Sequence, residues 1–256
     1  MKVAILAGGL GTRLAEETDI RPKPMVEVGG QPLIWHIMKH YESFGCSDFY
    51  VALGYKGEFV KRYFLDYSAL SGSLSVSLGD GKLTPLDAVH EQWNVNLINT
   101  GVDTNTGGRL RCLAPWLKDG TFMLTYGDGV SDVDLDKLQA FHRDHGKLAT
   151  ITAVRPPSRF GEMVFESEDV VRFTEKPQMG EGWINGGYMV LEPAILDMIE
   201  GDDTSFEGEI LEHLSDEQEL VAYRHPSFWQ CMDTLRDVRY LRSLWESGSP
   251  PWVTWA

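Results

Sequence analysis

The chain has 256 residues, 43% hydrophobic and 24% charged, which suits one large α/β domain or two small ones. Its 23 Lys and Arg stand against 38 Asp and Glu, and the resulting charge of -15 argues against a nucleic-acid or anionic-membrane surface. No apolar run is long enough to cross a bilayer, no signal peptide precedes the first strand, and Cys46, Cys112 and Cys231 are widely spaced, so a cytoplasmic protein with reduced thiols is expected.

The opening stretch, 1–24, organises the rest. Residues 2–7 predict a buried parallel strand. Gly8-Gly9-Leu10-Gly11-Thr12-Arg13-Leu14 follows, then Arg21-Pro22-Lys23-Pro24. A strand that feeds a glycine-rich turn sets bare N–H groups at the carboxyl end of a sheet, where open α/β sheets bind ligands. Successive N–H groups there form an anion-binding concavity. Four of the 23 cations of this acidic chain, Lys2, Arg13, Arg21 and Lys23, lie in this stretch. Pro22 and Pro24 restrict the backbone on both sides of Lys23. A polyphosphate site is therefore expected. A dinucleotide fingerprint fails at Leu14, where its third glycine would stand, and no Gly-Lys-Ser/Thr of a P-loop follows.

Helical spacing predicts a helix over 32–45, a buried strand over 48–53 and a second helix over 58–67. This rhythm implies right-handed βαβ units and a parallel sheet. Alternation at Leu74, Val76 and Leu78, a turn at Gly79-Asp80-Gly81, and renewed alternation over 93–97 read as inserted antiparallel material. The run 100–109 then offers hydroxyls, N–H groups and Arg109 at a helix N-terminus, a potential anion site. The strand 121–126 ends in Gly127-Asp128-Gly129, where an acid between glycines can approach a metal or form a plain turn.

Asp132 is expected to cap a helix with Leu135, Leu138 and Phe141, and His142 and His145 on that helix read as a solvated face. A strand over 148–154, a hairpin over 163–173 and a strand over 183–191 follow. Gly186 and Gly187 inside that last strand suggest a bulge or a close ligand, such as a sugar phosphate on Asn185 and Gly186 with Lys176 on its phosphate. Thr204-Ser205-Phe206-Glu207 reads as a capping box. Strands over 220–224 and 228–232 precede Asp233, which by position alone is a good N-cap for the last helix. The tail 249–256, with Trp252 and Trp255, is too aromatic to be free and is expected to dock. No linker or repeat divides the chain, so 1–256 is read as one domain.

The Leu-Ala-Gly-Gly-x-Gly-Thr-Arg-Leu run with Pro-Lys-Pro resembles the signature of the sugar-1-phosphate nucleotidylyltransferases. Thr106-Gly107-Gly108-Arg109-Leu110, Thr125-Tyr126-Gly127-Asp128-Gly129-Val130, Asn185-Gly186-Gly187 and Phe228-Trp229-Gln230 with Met232-Asp233-Thr234 are similar to its cytidylyl branch. The resemblance implies a Rossmann-like α/β fold with a mixed, mostly parallel sheet and inserted hairpins. It also implies a homohexamer and the reaction of CTP with α-D-glucose 1-phosphate to CDP-glucose and diphosphate, feeding CDP-linked deoxyhexoses of bacterial surface polysaccharide. By the same resemblance, Leu6, Ala7, Gly8, Gly9, Leu10, Gly11, Thr12 and Arg13 hold the nucleotide, with Lys23, Thr104 and Arg109 as further ligands. Arg13 and Lys23 are the catalytic cations, and Asp128 and Asp233 hold Mg²⁺, which overrides the cap reading of Asp233, though one carboxylate can do both. Cys231 and the segment Glu209-Ile210-Leu211 depart from the family's pattern, which has proline in each place. Rivals are the same transfer with UTP, dTTP or GTP, and a regulatory subunit of the same fold; the latter would lack one of Arg13, Lys23, Asp128 and Asp233, and all are present.

Overall fold

A computed structural model describes residues 1–87, 91–156, 162–166, 169–174 and 182–255, with the backbone alone at 15, 16, 162–166 and 169–174. Seven strands form the main sheet: β1 (Lys2–Ala7), β2 (Asp48–Leu53), β3 (Asn94–Asn99), β4 (Phe122–Tyr126), β5 (Ala149–Val154), β6 (Ile184–Leu191) and β7 (Leu220–His225). Their spatial order is β7-β5-β6-β4-β1-β2-β3. Every neighbouring pair is parallel except those made by β6, which runs antiparallel to both β4 and β5. The sheet is thus mixed and mostly parallel, as expected. The alternation over 93–97 corrects one expectation, because β3 pairs in parallel with β2 as the sheet's edge and is not inserted antiparallel material. An edge strand has one solvated side, and its half-polar alternation imitates a hairpin strand. The neighbouring hairpin, Leu74–Val76 with Leu83–Pro85, is antiparallel as read.

β1 shows why the sheet is a middle layer. Val3, Ile5 and Ala7 point into one apolar cluster, and Ala4 and Leu6 into another on the opposite face. A strand buried on both sides reads as a continuous apolar run. Helices α1 (Leu33–Glu42), α2 (Gly57–Leu70), α4 (Leu135–His145) and α5 (Leu235–Glu246) cover the first face with Leu33, Val60, Leu138 and Val238. Helix α3 (Thr106–Leu117) and the segment from Ile195 to Leu214 cover the second. After β1 the chain winds outward to β2 and β3, then returns to lay β4 on the other side of β1. The β1–β4 border is therefore a topological switch point, where a crevice opens outside the carboxyl ends. No helix among the described residues is long and apolar enough to cross a membrane.

Two local expectations are corrected. Asp134, not Asp132, caps α4 by accepting from Lys137 N at 2.9 Å; Asp132 instead faces His225 at 2.9 Å and accepts from Ser227 at 2.6 Å. His142 is buried, with Nδ1 2.8 Å from the Thr150 hydroxyl and Nε2 3.1 Å from Glu192 Oε1, and His145 Nε2 lies 2.7 Å from the same hydroxyl. The pair ties α4 to β5 and is no solvated face.

The tail docks on its own domain. Trp252 is 1% exposed, stacks on Phe228 and donates Nε1–H to His36 Nδ1 at 3.3 Å, while His36 Nε2–H donates to Val28 O at 2.9 Å. One turn on, His40 Nδ1 meets the Thr254 hydroxyl at 3.1 Å. Burial pushes both imidazoles down to about 4 against the weaker upward pull of nearby hydrogen bonds. The unfolded chain takes up protons at these sites below about 6.5, and the folded chain refuses them until about 4. Stability from the pair is thus complete above the higher value and is lost as pH falls through the window. We expect the thermal midpoint to drop across that window, and to drop less steeply in His36→Gln/His40→Gln, measured by melts at constant ionic strength.

Candidate active site

Four side chains from distant parts of the chain meet at the switch point. Gly127 N donates to Leu6 O at 2.9 Å, so the ends of β1 and β4 are locked side by side. Asp128 follows directly. Lys23 arrives on the short helical turn Lys23–Met25, whose Pro24 packs where a Cβ on Gly127 would sit, 2.9 Å from the proline ring. Its ammonium donates to Asp128 Oδ2 at 2.7 Å and to Asp233 Oδ1. The Arg13 guanidinium meets the other oxygen, Asp233 Oδ2, at 2.7 Å.

Asp233 is delivered by a two-stranded ribbon. Trp229–Cys231 pairs antiparallel with Gly129–Ser131, and Met232 N donates to Asp128 O at 2.8 Å. Cys231, where the family pattern has proline, keeps its place opposite Gly129, so the register holds. Thr234, one residue on, caps α5: its hydroxyl accepts from Asp237 N at 3.3 Å, and Asp237 Oδ2 accepts from Thr234 N at 2.8 Å. The cap expected of Asp233 thus belongs to its neighbour, and the Asp233 carboxylate is left to the site.

Burial alone would lower the Lys23 pKa, but the charges and hydrogen bonds of Asp128 and Asp233 outweigh it and raise it. Lys23 is therefore an ammonium at neutral pH. The quartet borders a cavity of about 590 Å³, the size of a small-molecule site. Leu6, Ala7, Gly8, Gly9, Leu10, Gly11 and Thr12 form one wall, and Thr104 and Arg109 line the other side. Gly11 turns the loop at φ +65°, and a Cβ there would press on Thr18 at 2.8 Å. Asp103 and Asp203 also line the cavity, so four carboxylates face three cations. Behind Tyr126 and Asp128 lies a second depression of about 30 Å³, lined by Asn185, Gly186 and Trp229 among others.

The family model "Nucleotidyl transferase" matches residues 2–247. The chain is 48% identical to the glucose-1-phosphate cytidylyltransferase of Salmonella typhi, over 100% of both chains. It is 40% identical to a probable glucose-1-phosphate cytidylyltransferase of Bacillus subtilis, again over 100% of both. The chain belongs to the nucleotidyl transferase family. Among solved structures, HddC from Yersinia pseudotuberculosis superposes with a TM-score of 0.70 at 22% identity, covering 95% of this chain and 99% of that one. A UDP-glucose pyrophosphorylase complexed with UDP-glucose gives 0.69 at 15%, covering 96% and 98%. These two likenesses speak for the fold.

In this nucleotidyl transferase Thr104 and Arg109 line the cavity, but several N–H groups of the run 100–109 are already spent on the protein. Asn105 N donates to Asp202 O at 2.8 Å, and Gly107 N and Gly108 N donate to Thr204 O at 3.0 and 3.4 Å. A Cβ on Gly108 would sit 2.4 Å from Asp202 O, so these glycines serve close packing. Arg109, 4% exposed, donates to Thr100 Oγ1 and Gly101 O at 2.7 Å and to Val102 O at 3.0 Å. Burial lowers its pKa. It still borders the cavity, but its first task is to brace the 100–102 turn against Gly8 and Gly54. Lys2 and Arg21 do not reach the site either: Lys2 pairs with Asp119 at 2.8 Å, and Arg21 with Glu27 at 2.5 Å. Lys176 lies outside the described residues.

Asn185 and Gly186 meet their expectation of irregular backbone. The β5–β6 register shifts between Ile151 and Ala153, and Gly187 adopts φ +81° with its open side against the Tyr126 ring. Trp229 Nε1–H clamps Gly186 O at 2.7 Å. Sequence reasoning missed Tyr126 and Glu207. The Tyr126 hydroxyl donates to Glu207 Oε1, and Thr106 Oγ1 donates to Glu207 Oε2 at 2.5 Å. The capping box expected over Thr204–Glu207 does not form: Ser205 is the N-cap and accepts from Gly208 N at 3.0 Å, and Glu209, four residues on, accepts from Ser205 N at 2.7 Å. Only the Tyr-Gly-Asp adjacency hinted at Tyr126.

Gly54 gives the sharpest test of this packing. A Cβ there would stand 2.5 Å from Gly8 O and from Arg109 Nη1, and 2.8 Å from Gly101 O. Overpacking of this kind costs about 1–3 kcal/mol. Gly54→Ala is expected to lower the thermal midpoint and to weaken nucleotide binding about tenfold, measured by calorimetric titration.

Proposed function

We propose that the chain transfers CMP from CTP to α-D-glucose 1-phosphate, giving CDP-glucose and diphosphate. The observation that carries this reading is the convergence of Arg13, Lys23, Asp128 and Asp233 at the switch point. It occurs in a chain that matches cytidylyltransferases end to end.

Both substrates are anions, so repulsion is the first barrier. A phosphate oxygen of the sugar attacks the α-phosphorus of CTP in line with the departing diphosphate. Positioning and electrostatics suffice, and no protein nucleophile is needed. The N–H groups of Gly8 to Thr12 cradle the triphosphate. Arg13, whose side chain is three-quarters exposed, is free to swing onto the leaving diphosphate, and the confined Lys23 suits the α-phosphate. Thr104 and Arg109 complete the nucleotide side. Asn185 and Gly186 would meet the sugar phosphate at the mouth of the second depression, which is itself too small for a hexose.

With four carboxylates against three cations, the cavity needs further positive charge to hold two phosphate substrates. Asp128 and Asp233 suit Mg²⁺, which takes one or two carboxylates and fills its shell with water and substrate phosphates. Their oxygens already share a cationic group, the Lys23 ammonium. When bound, Mg²⁺ would screen the CTP phosphates and make the α-phosphorus a better electrophile.

Purified protein with Mg²⁺ and glucose 1-phosphate should release diphosphate with CTP far above UTP, dTTP or GTP, and EDTA should stop it. Preference for another nucleotide would move the substrate assignment, and release with none would remove the activity. In the same assay, Arg13→Ala and Lys23→Ala should each lose about 3–4 kcal/mol of transition-state stabilisation, on the order of a hundredfold or more in rate.

The proposed setting is cytoplasmic, supplying CDP-linked deoxyhexoses of a surface polysaccharide, and the proposed assembly is a homohexamer. What supports assembly is the exposure of apolar side chains on α2 and over 74–86: Leu65, Leu70, Leu78, Leu83 and Leu86. Exposed apolar side chains of this kind are candidates for a subunit interface. Light scattering should give six times the chain mass, and Leu78→Lys/Leu83→Lys should lower it; a monomeric wild-type chain would rule assembly out.

A further inference from the structure

The segment that carries Arg13 leaves the sheet at Gly8 and returns through the short helical turn Ala15–Thr18. Within it, the Thr18 hydroxyl donates to Leu14 O at 2.9 Å and Gly11 O at 3.1 Å. From outside, one dipeptide beyond the carboxyl end of β2 grips both limbs. Tyr55 N donates to Gly8 O at 3.1 Å, and the Tyr55 hydroxyl to Thr18 O at 3.3 Å. The Lys56 ammonium donates to Thr18 O at 3.2 Å and Asp19 O at 2.5 Å. A cation at the carbonyl end of a helical turn is favourably placed. Arg242 adds a looser outer contact, 3.4 Å from Glu17.

Lys56 makes these bonds from a strained backbone. Its φ of 50° and ψ of 35° are left-handed, and it shares positive φ among the described non-glycine residues only with Gln218. It precedes α2 without a side-chain cap bond, at a position that glycine would fill without steric cost. Strain of this kind persists where the surroundings over-determine it, and it gathers near functional sites. Neither Tyr55 nor Lys56 lines the cavity. We infer that Lys56 is a positioning residue of the nucleotide loop. It holds the returning limb so that Arg13 and the N–H groups of Gly8 to Thr12 meet the phosphates in one register, and it touches no substrate.

This role rests on the nucleotidyl-transfer reading above, and three variants test it. Lys56→Met keeps the stem and removes the charge, Lys56→Gly removes both charge and strain, and Lys56→Arg keeps a cation. The first two should lower kcat/KM for CTP roughly ten- to a hundredfold, the scale that an ångström of misplacement costs. The KM for glucose 1-phosphate should stay within about twofold. Lys56→Arg should recover most of the loss, and Lys56→Gly should melt no lower than wild type, which separates the effect from unfolding. Adding Lys56→Met to Arg13→Ala should cost less than the product of the two single losses, because part of the Lys56 effect acts through Arg13 and the rest through the N–H groups of the loop. Amide exchange over 9–20 should quicken in Lys56→Met without any ligand. That readout needs no nucleotide, so a wrong CTP assignment leaves it standing and the kinetics are repeated with the nucleotide the enzyme uses. Wild-type kinetics in Lys56→Met and Lys56→Gly, unchanged exchange over 9–20, or a loss fully multiplicative with that of Arg13→Ala would each overturn the role.

Discussion

The Lys23 ammonium held between Asp128 and Asp233 is the contact on which the site depends. It joins groups 105 and 210 residues apart in the chain. Each partner is fixed by a different device: a proline-flanked turn for Lys23, the end of a buried strand for Asp128, and a short ribbon followed by a capped helix for Asp233. A buried ion pair is not in itself a large source of stability, because desolvation opposes attraction. Here its value is chemical. It keeps an ammonium charged and two carboxylates convergent at the spot where phosphates must arrive.

Around that contact the glycines work as clearances. Gly127 admits Pro24, Gly8 and Gly54 admit the Arg109 guanidinium, and Gly107 and Gly108 admit the 202–204 backbone. The motif letters thus have two different physical meanings. Those after β1 shape the cavity wall, and those before α3 let two layers approach. Arg109 shows how a motif cation can serve the loop first, with three carbonyl-side and hydroxyl contacts already made. The outer ribbon has the same dual character: Phe228 anchors the tail through Trp252, Trp229 clamps Gly186, and Gln230 reaches Asp237 at 3.2 Å.

Strongly periodic elements were legible, and their partners were not. The β2 strand was placed at its observed bounds, 48–53, because both of its faces are apolar. The β3 strand was found but misassigned, since one solvated side gives an edge strand the pattern of a hairpin. Caps slipped by one or two residues at α4 and α5 because Asp132 and Asp233 are as good at capping, letter by letter, as Asp134 and Thr234. His142 and His145 were read as solvated because helical spacing does not reveal a second layer above a helix.

By itself the sequence determined the fold class, the glycine turn after β1, the cations Arg13 and Lys23, and the acid Asp128 as candidates. Local chemistry suffices for these, because strand burial, glycine turns and proline flanks act over a few residues. Asp233 read locally as a helix cap and entered the site only through the family resemblance. Tertiary structure alone decided which candidates meet. It brought the four together, withdrew Lys2 and Arg21, assigned the cap beside Asp233 to Thr234, turned Gly107 and Gly108 toward packing, and set Lys56 on the limb that bears Arg13. Hydrogen-bond donors are spent on the nearest acceptors, and which acceptor is nearest is a property of the assembled layers.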